Sequence, residues 1–534
     1  MNRFEMLENK ISSAKLIAIT ALCLMLFGNF AFINNVEEIY PISVENGAFL
    51  FSLFFLFACI NVMFFSLLCF KRTLKPILIL VLLISSQAAY FMDTYNVVID
   101  DSMIDNLLKT DAKEALDLLS FRQLLYFLLI GVLPSLFIYK VNVIELSFVK
   151  AVFSNMKLFV GALLLSALLV LSFSDYYASF FREHKSLRFY ANPSYSIYSA
   201  IKYVNDFFET GTEPLRKIGL DALVPATDAH RELVIFVVGE TARADHFSLN
   251  GYHKKTNPLL ENEDVISFDN VWSCGTSTAH SVPCMFSIYG RSEFTKNIAQ
   301  STENALDVLV RAGVNVIWLD NNSSSKGVAD RVLYEDYQSP EVNPDCDIEC
   351  RDEGMLKNLQ VYIDSHPTGD IFIVLHQMGN HGPAYYKRYP KMFERFTPTC
   401  QSNQLEQCSQ EEITNTYDNA LLYTDYFLSQ TIQLLKGNDA RFETALFYAS
   451  DHGESLGENN LYLHGLPYMI APREQINVPM IMWFGSSFDK DEIDFSKLKK
   501  QLHKKFSHDN LFHTILGLME VQSSVYDKNM DIIK

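Results

Sequence analysis

Residues 233–239 read LVIFVVG and are followed at once by Glu240. An unbroken apolar run of that length, rich in β-branched residues, predicts a strand buried on both faces, as in parallel sheets with helices packed on either side. Four more runs share the pattern: VNVIWL at 314–319, IFIVLH at 371–376, ETALFYAS at 443–450 and VPMIMWF at 478–484. Amphipathic helical stretches separate several of them. Residues 221–534 are therefore expected to form one large α/β domain around a mostly parallel sheet.

The residues just past the first four strands indicate where a site lies. They are Glu240, then Asp320-Asn321-Asn322, then His376 through His381, then Asp451-His452. Ligands of open α/β sheets bind beyond the carboxyl ends of the strands, so these side chains are expected to converge on one rim. Each has an ordinary structural alternative: Glu240 as a helix cap or ion pair, Asp451-His452-Gly453 as a turn, and His376, His381 or His464 as one structural histidine among thirteen. Together, a carboxylate beside an imidazole suits zinc or manganese. A nucleophile candidate lies in SCGTSTAHSVPC, residues 273–284. Thr278 there precedes an apparently helical stretch, and free N–H groups at a helix start favour an alkoxide or a phosphate. A threonine hydroxyl needs metal coordination or an adjacent base to attack at neutral pH, so Thr278 and the metal ligands support each other. The alternative is a threonine cap beside a structural disulfide.

The first third of the chain differs in kind. Apolar runs at residues 16–33, 48–70, 76–92, 123–139 and 157–173 each approach the ~20 residues that a membrane-crossing helix needs. A signal peptide is the competing reading of the first run, but no small-residue cleavage pattern comes after it. Arg3, Lys10 and Lys15 precede the first run, Lys71, Arg72 and Lys75 follow the second, and Lys140 and Lys150 follow the fourth. The loop after the first run holds Glu37, Glu38 and Glu45 with no Lys or Arg. The positive-inside rule then places the amino terminus in the cytoplasm and everything after residue 174 outside, with Lys109, Lys113 and Arg122 of the second outer loop counting against it. Residues 1–174 are thus expected to form a five-span membrane domain. Residues 175–220, aromatic and polar, read either as an interfacial helical connector or as an ordinary packed helix pair.

Of nine cysteines, Cys23, Cys59 and Cys69 lie in apolar runs and read as buried small hydrophobes. The other six are near neighbours: Cys274 with Cys284, Cys346 with Cys350, Cys400 with Cys408. Neighbour pairing is one arrangement among the fifteen that six cysteines allow, and it implies an oxidising, periplasm-like compartment. A zinc cluster is the alternative, although no C-x-x-C pair is present. The 534 residues carry 62 acidic and 44 basic side chains, a formal charge of −18, and are 49% hydrophobic. That balance excludes a disordered tail, a collagen and a small disulfide scaffold, and it argues against nucleic acid as the main partner.

Four segments, VVGETARADHFSLNGY (237–252), SCGTSTAHSVPCMF (273–286), LHQMGNHGPAYYKRY (375–389) and SDHGESLGENNLYLHG (450–465), closely resemble the lipid A phosphoethanolamine transferases, including the mobile colistin resistance enzymes. The resemblance spans the chain. It implies five spans, a periplasmic catalytic domain of alkaline phosphatase and sulfatase type, and a monomer in the inner membrane of a Gram-negative bacterium. It implies that Glu240, Thr278, Asp451 and His452 hold a catalytic Zn²⁺, with Thr278 also the nucleophile, and that His381 and His464 bind substrate phosphate or a second zinc. It further implies substrate roles for Thr276 and Ser277, for Asn322 and Lys326 in DNNSSSKG, and for Asn106, Thr110 and Glu114, which share one helical face by their spacing. His280 departs from the mobile resistance enzymes, which carry Tyr there, and this bears on the shape of the lipid or phosphate pocket.

The activity implied is transfer of phosphoethanolamine from phosphatidylethanolamine to a lipid A phosphate through a covalent Thr278 intermediate, with resistance to cationic peptides such as polymyxins. Lipopolysaccharide core sugars or periplasmic glucans are the alternative acceptors. A sulfatase activity is disfavoured because the C/S-x-P-x-R pattern is absent around Thr278. A phosphoglycerol transferase of the lipoteichoic acid type fits the six outer cysteines and the phosphoethanolamine motifs less well. A non-catalytic membrane sensor predicts that Thr278→Ala leaves function unchanged.

Overall fold

The computed structural model describes residues 10–109, 118–209, 214–225, 230–488 and 493–534. It divides into two compact units, Met1–Ile104 with Leu119–Tyr203, and Asp105–Leu118 with Val204–Lys534.

In the first unit, helices Gly47–Leu68, Leu74–Tyr95, Phe121–Lys140 and Phe148–Ser172 are each long and apolar enough to cross a membrane, and Ser13–Phe27 with Phe30–Ile39 make a fifth candidate, bent by 60°. The bend departs from the single run expected over residues 16–33, and Asn29 accounts for it. Asn29 Nδ2 donates to Leu24 O at 2.9 Å and to Asn192 O at 2.7 Å, while Asn192 donates back from its backbone N to Asn29 Oδ1 and from Nδ2 to Gly28 O, both at 2.9 Å. Backbone groups away from water need internal partners, and this asparagine pair supplies them where the helix breaks. Farther on, helices Ser174–Glu183 and Ser194–Glu209 carry the aromatic stretch. Tyr177 and Phe180 are buried there, and the Tyr177 hydroxyl lies 2.9 Å from Ser52 Oγ.

The second unit is built on an eight-stranded sheet in the order β10-β2-β9-β6-β1-β5-β3-β4. The strands are β1 Glu232–Gly239, β2 Ile266–Trp272, β3 Asn315–Asp320, β4 Leu333–Asp336, β5 Ile371–His376, β6 Glu443–Ser450, β9 Asn477–Phe484 and β10 Phe506–Ser507; β7 Ser455–Leu456 and β8 Tyr462–Leu463 form a separate pair. β1 lies between β5 and β6, parallel to both, and β3 continues the parallel set. β9 is the exception, antiparallel to both β6 and β2. Alternate residues of β1 enter two cores. Val234, Phe236 and Val238 pack with Trp318, Phe447 and the inner side of helix Thr278–Met285, whereas Leu233, Ile235 and Val237 pack with Leu375, Tyr448 and helix Gln410–Asn438. Burial on both faces is why these strands read as continuous apolar runs.

Candidate active site

β1 and β6 run in register with Gly239 opposite Ser450, so the residues that come next, Glu240 and Asp451, emerge side by side at the carboxyl rim. The Asp451 backbone N–H extends the ladder by donating to Gly239 O at 2.9 Å. Gly379 closes the rim from the β5 side. Its φ is +52°, and a Cβ there would lie 2.9 Å from Glu240 O, so only glycine fits this approach.

Thr278 is the first residue of helix Thr278–Met285, with Ser277 as its N-cap. Its Oγ1 donates to Glu240 Oε2 at 3.1 Å and lies 3.3 Å from His452 Nε2. That nitrogen is in turn 3.3 Å from Asp451 Oδ2 and 3.5 Å from Glu240 Oε1. His452 Nδ1 faces Gly453 O at 2.9 Å, and a carbonyl only accepts, so the proton sits on Nδ1 and the Nε2 lone pair points into the cluster. All four side chains are buried. Glu240 Oε1 and Asp451 Oδ2 are buried without a hydrogen-bond partner, although desolvating a carboxylate oxygen without one is costly.

The titration behaviour has the same origin. Burial, then the neighbouring Asp451 carboxylate, raises Glu240 above the usual carboxylate range. Burial pushes Asp451 up to about 6 and the His452 imidazole down to about 4. Ligand atoms of Glu240, Asp451 and His452 lie within 4.8 Å of one another, with the Thr278 hydroxyl 3.3 Å from His452 Nε2, and carboxylate oxygens beside an imidazole lone pair are donors that suit a divalent metal such as Zn²⁺.

Other expected residues fall around this centre in differing roles. The His464 ring lies tilted against that of His452 with centroids 4.3 Å apart, and the His381 ring lies edge-on to that of His464 at 5.6 Å. Glu454, which carries no motif signal of its own in the sequence, joins them: its Oε2 is 3.0 Å from His464 Nδ1, and its Oε1 accepts from the Tyr385 hydroxyl at 2.9 Å. Burial raises the Glu454 carboxyl to about 7. Asn322 touches Glu240 directly, its Nδ2 donating to Glu240 Oε2 at 2.9 Å and to Gln377 O at 2.7 Å. Thr276 spends its hydroxyl on Leu466 O at 2.7 Å, and its own carbonyl accepts from Gly465 N at 2.8 Å, which ties the loop before Thr278 to the His464 loop. Lys326 Nζ donates to Ser323 O at 2.7 Å. His376 turns beneath the rim, its Nδ1 3.0 Å from Asp320 Oδ2, which also accepts from Trp318 Nε1 at 2.7 Å. His280 packs edge-on against Phe294. Asn106 is half-buried in helix Asp101–Lys109, next to Asp105, which pairs with Lys296; Thr110 and Glu114 lie outside the described residues.

The six outer cysteines form Cys274–Cys284, Cys346–Cys350 and Cys400–Cys408, which decides between disulfides and a zinc cluster in favour of disulfides. Cys23, Cys59 and Cys69 are free thiols. The first bridge ties the loop before helix Thr278–Met285 to that helix. The second sits beside Glu349 and Arg351; Glu349 pairs with Arg388, whose Nε holds His381 O at 2.7 Å.

The sulfatase family model matches residues 232–521, and the phosphoethanolamine transferase EptA/EptB family model matches residues 57–207. The chain is 44% identical over 488 residues to the phosphatidylethanolamine transferase Mcr-1 of Escherichia coli, covering 89% of this chain and 90% of that protein. It is 40% identical over 516 residues to phosphoethanolamine transferase EptA of E. coli K12, covering 95% and 94%. Among solved structures it is similar to the integral membrane protein lipooligosaccharide phosphoethanolamine transferase A (EptA) of Neisseria meningitidis, with TM-score 0.94 and 36% identity over 98% of this chain and 99% of that one. Identity above 30% over about nine-tenths of both chains settles descent: this chain belongs to the EptA and Mcr family of phosphoethanolamine transferases, within the alkaline phosphatase and sulfatase superfamily.

Proposed function

We propose that this protein transfers phosphoethanolamine from phosphatidylethanolamine to a lipid A phosphate, with Thr278 as the nucleophile. The observation that carries the reading is the Thr278 hydroxyl at a helix start, 3.1 Å from Glu240 Oε2 and 3.3 Å from His452 Nε2, beside two carboxylate oxygens that lack donors. Glu240, Thr278, Asp451 and His452 are the residues that hold one zinc ion, which when bound supplies the positive charge that lowers the pKa of the threonine hydroxyl and offsets charge on the phosphoryl oxygens.

The chain's own residues then act in two steps. Thr278 Oγ forms a bond to the phosphorus of phosphatidylethanolamine while the bond from phosphorus to the glycerol oxygen breaks, and diacylglycerol leaves with a proton. A lipid A phosphate oxygen attacks the same phosphorus and releases Thr278. The free N–H groups at the start of helix Thr278–Met285 face the charge that builds up on the phosphoryl oxygens. His381 and His464 bind phosphate oxygens or a second zinc, and one of them supplies the leaving-group proton; the Glu454 carboxylate, 3.0 Å from Nδ1, holds the His464 ring in place. Asn106, Thr110 and Glu114 contact the lipid substrates, Lys326 contacts the phosphoethanolamine group, and Ser277 flanks the nucleophile. The product carries an added ammonium, which weakens the attraction of polymyxin-like cations to the membrane surface.

The four long apolar helices and the bent pair Ser13–Phe27 with Phe30–Ile39 make five spans in the inner membrane of a Gram-negative bacterium, with the amino terminus cytoplasmic and the catalytic domain of a monomer in the periplasm. The Lys and Arg distribution and the three disulfides support that orientation. The test is mass spectrometry of lipid A from a host expressing the protein or its Thr278→Ala variant. The expected result is one added phosphoethanolamine with the unmodified chain and none with the variant. Well-inserted protein that leaves lipid A unmodified refutes the acceptor, and the group is then sought on core sugars or glucans.

A further inference from the structure

Two loops must stay in register for Thr278 Oγ1 to meet its partners: residues 273–277, leading into the nucleophile helix, and residues 450–453, after β6. His508 sits between them. It comes directly after β10, whose Phe506 and Ser507 pair in parallel with Val271 and Trp272 of β2, the strand that feeds the nucleophile loop. Ser507 and Asn510 form a capping box around it, with the Ser507 backbone N donating to Asn510 Oδ1 at 3.0 Å, so its backbone is fixed.

The ring is 1% exposed, and each nitrogen has a different backbone partner. Cys274 N–H donates to His508 Nδ1 at 3.1 Å, while His508 Nε2 lies 3.0 Å from Ser450 O. An N–H only donates and a carbonyl only accepts, so the ring is neutral with its proton on Nε2. Burial, which pushes this imidazole down to about 3, keeps it so across the working pH range. Ser281, in the nucleophile helix, completes the clasp: its hydroxyl donates to Asp451 O at 2.5 Å and lies 3.3 Å from His508 Nδ1.

We propose that His508 is a positioning residue for the transfer, holding the loop that carries Thr278 against the loop that carries Asp451 and His452 through one accepted and one donated backbone hydrogen bond. It touches none of the reacting atoms. It sets the distance at which the nucleophile meets the metal-binding carboxylate and imidazole. The inference rests on Thr278 being the nucleophile.

The test uses the full-length protein in detergent, with phosphatidylethanolamine as donor and lipid A as acceptor, comparing the unmodified chain with His508→Leu, His508→Gln and Thr278→Ala. A carboxamide also offers one acceptor and one donor, so glutamine can span the same two backbone groups, whereas leucine spans neither. The expected result is a kcat on the order of 100-fold lower for His508→Leu, with KM for phosphatidylethanolamine unchanged to within about threefold, and recovery of most of that kcat in His508→Gln. Native kcat in His508→Leu, a glutamine variant no better than leucine, or a loss confined to KM overturns the proposal. Should His508→Leu fail to accumulate, Ser281→Ala decides, since it removes one hydroxyl of the same clasp: a kcat about tenfold lower supports the proposal and an unchanged kcat refutes it. Transfer that survives in Thr278→Ala refutes the nucleophile assignment instead, a result distinct from an inactive Thr278→Ala beside a fully active His508→Leu.

Discussion

Replacing Asn322 by Leu separates two roles for this side chain. The family resemblance implies that it binds the phosphoethanolamine group. In the structure, both of its amide donor contacts are internal, to Glu240 Oε2 at 2.9 Å and to Gln377 O at 2.7 Å, and its Oδ1 accepts from the Ser323 backbone at 2.5 Å. Leucine has nearly the same volume and no polar atoms. It leaves Glu240 Oε2 with the Thr278 hydroxyl at 3.1 Å as its donor. Losing the buried bond to a charged acceptor costs about 1–3 kcal/mol. Removing a side chain that orients a metal ligand typically lowers metal affinity by roughly 10- to 100-fold, equivalent to about 1.4–2.7 kcal/mol. The two estimates agree, so zinc affinity of Asn322→Leu should fall within that range. The assay is competition for zinc between detergent-solubilised protein and a chromogenic chelator, run beside steady-state kinetics. Zinc affinity equal to that of the unmodified chain, with a raised KM for phosphatidylethanolamine, refutes the reasoning and returns Asn322 to the substrate.

Other consequences can be measured independently. Below about pH 6 the metal-stripped protein holds a proton on Asp451, raised to about 6, and burial favours the protonated form of Glu240 as well, while His452, lowered to about 4, is neutral, so zinc affinity should rise as pH increases through about 6, and zinc binding on the acid side should release protons. Calorimetry in buffers of different ionisation enthalpy reads this directly, and a pH-independent affinity contradicts it. A Cβ at Gly453 would lie 2.0 Å from Glu474 O, so Gly453→Ala should destabilise the second unit by about 2–3 kcal/mol, visible as a lower Tm and absent if the loop yields freely. Converting Cys274 and Cys284 together to Ser opens a bridge between residues ten apart and should cost about 2.5 kcal/mol, measured by denaturant unfolding; stability equal to the parent shows that the bridge does not constrain the unfolded chain.

The central strands were legible in the sequence because burial on both faces writes itself as an uninterrupted apolar run, and the residues after those runs marked the rim. Direction was not legible for β9: NVPMIMWF is buried along almost its whole length, and a strand packed on both faces looks alike whichever way it points. β2 has no apolar run to mark it, because ISFDNVW places Asp269 and Asn270 in the middle of a strand, at the break in its pairing with β9 between Phe268 and Val271. The helix break at Asn29 depends on Asn192, 163 residues away, and a lone asparagine in an apolar run does not announce such a partner. At the site, Thr278 could be placed at a helix start from local order alone. The work of His508 could not, since its partners lie 234 and 58 residues distant and involve backbone atoms that every sequence possesses. The family resemblance gives Thr276 a substrate role, whereas the fold commits its hydroxyl to Leu466 O.

The three disulfides join residues only 10, 4 and 8 apart, and each closes before the next begins. None encloses another or crosses it. A cysteine arriving in an oxidising compartment therefore finds its native partner as the next thiol behind it in the outer half of the chain. An oxidant that simply couples successive thiols as the polypeptide emerges leaves no wrong bond to be exchanged, so maturation of this domain calls for oxidation and dispenses with disulfide isomerisation.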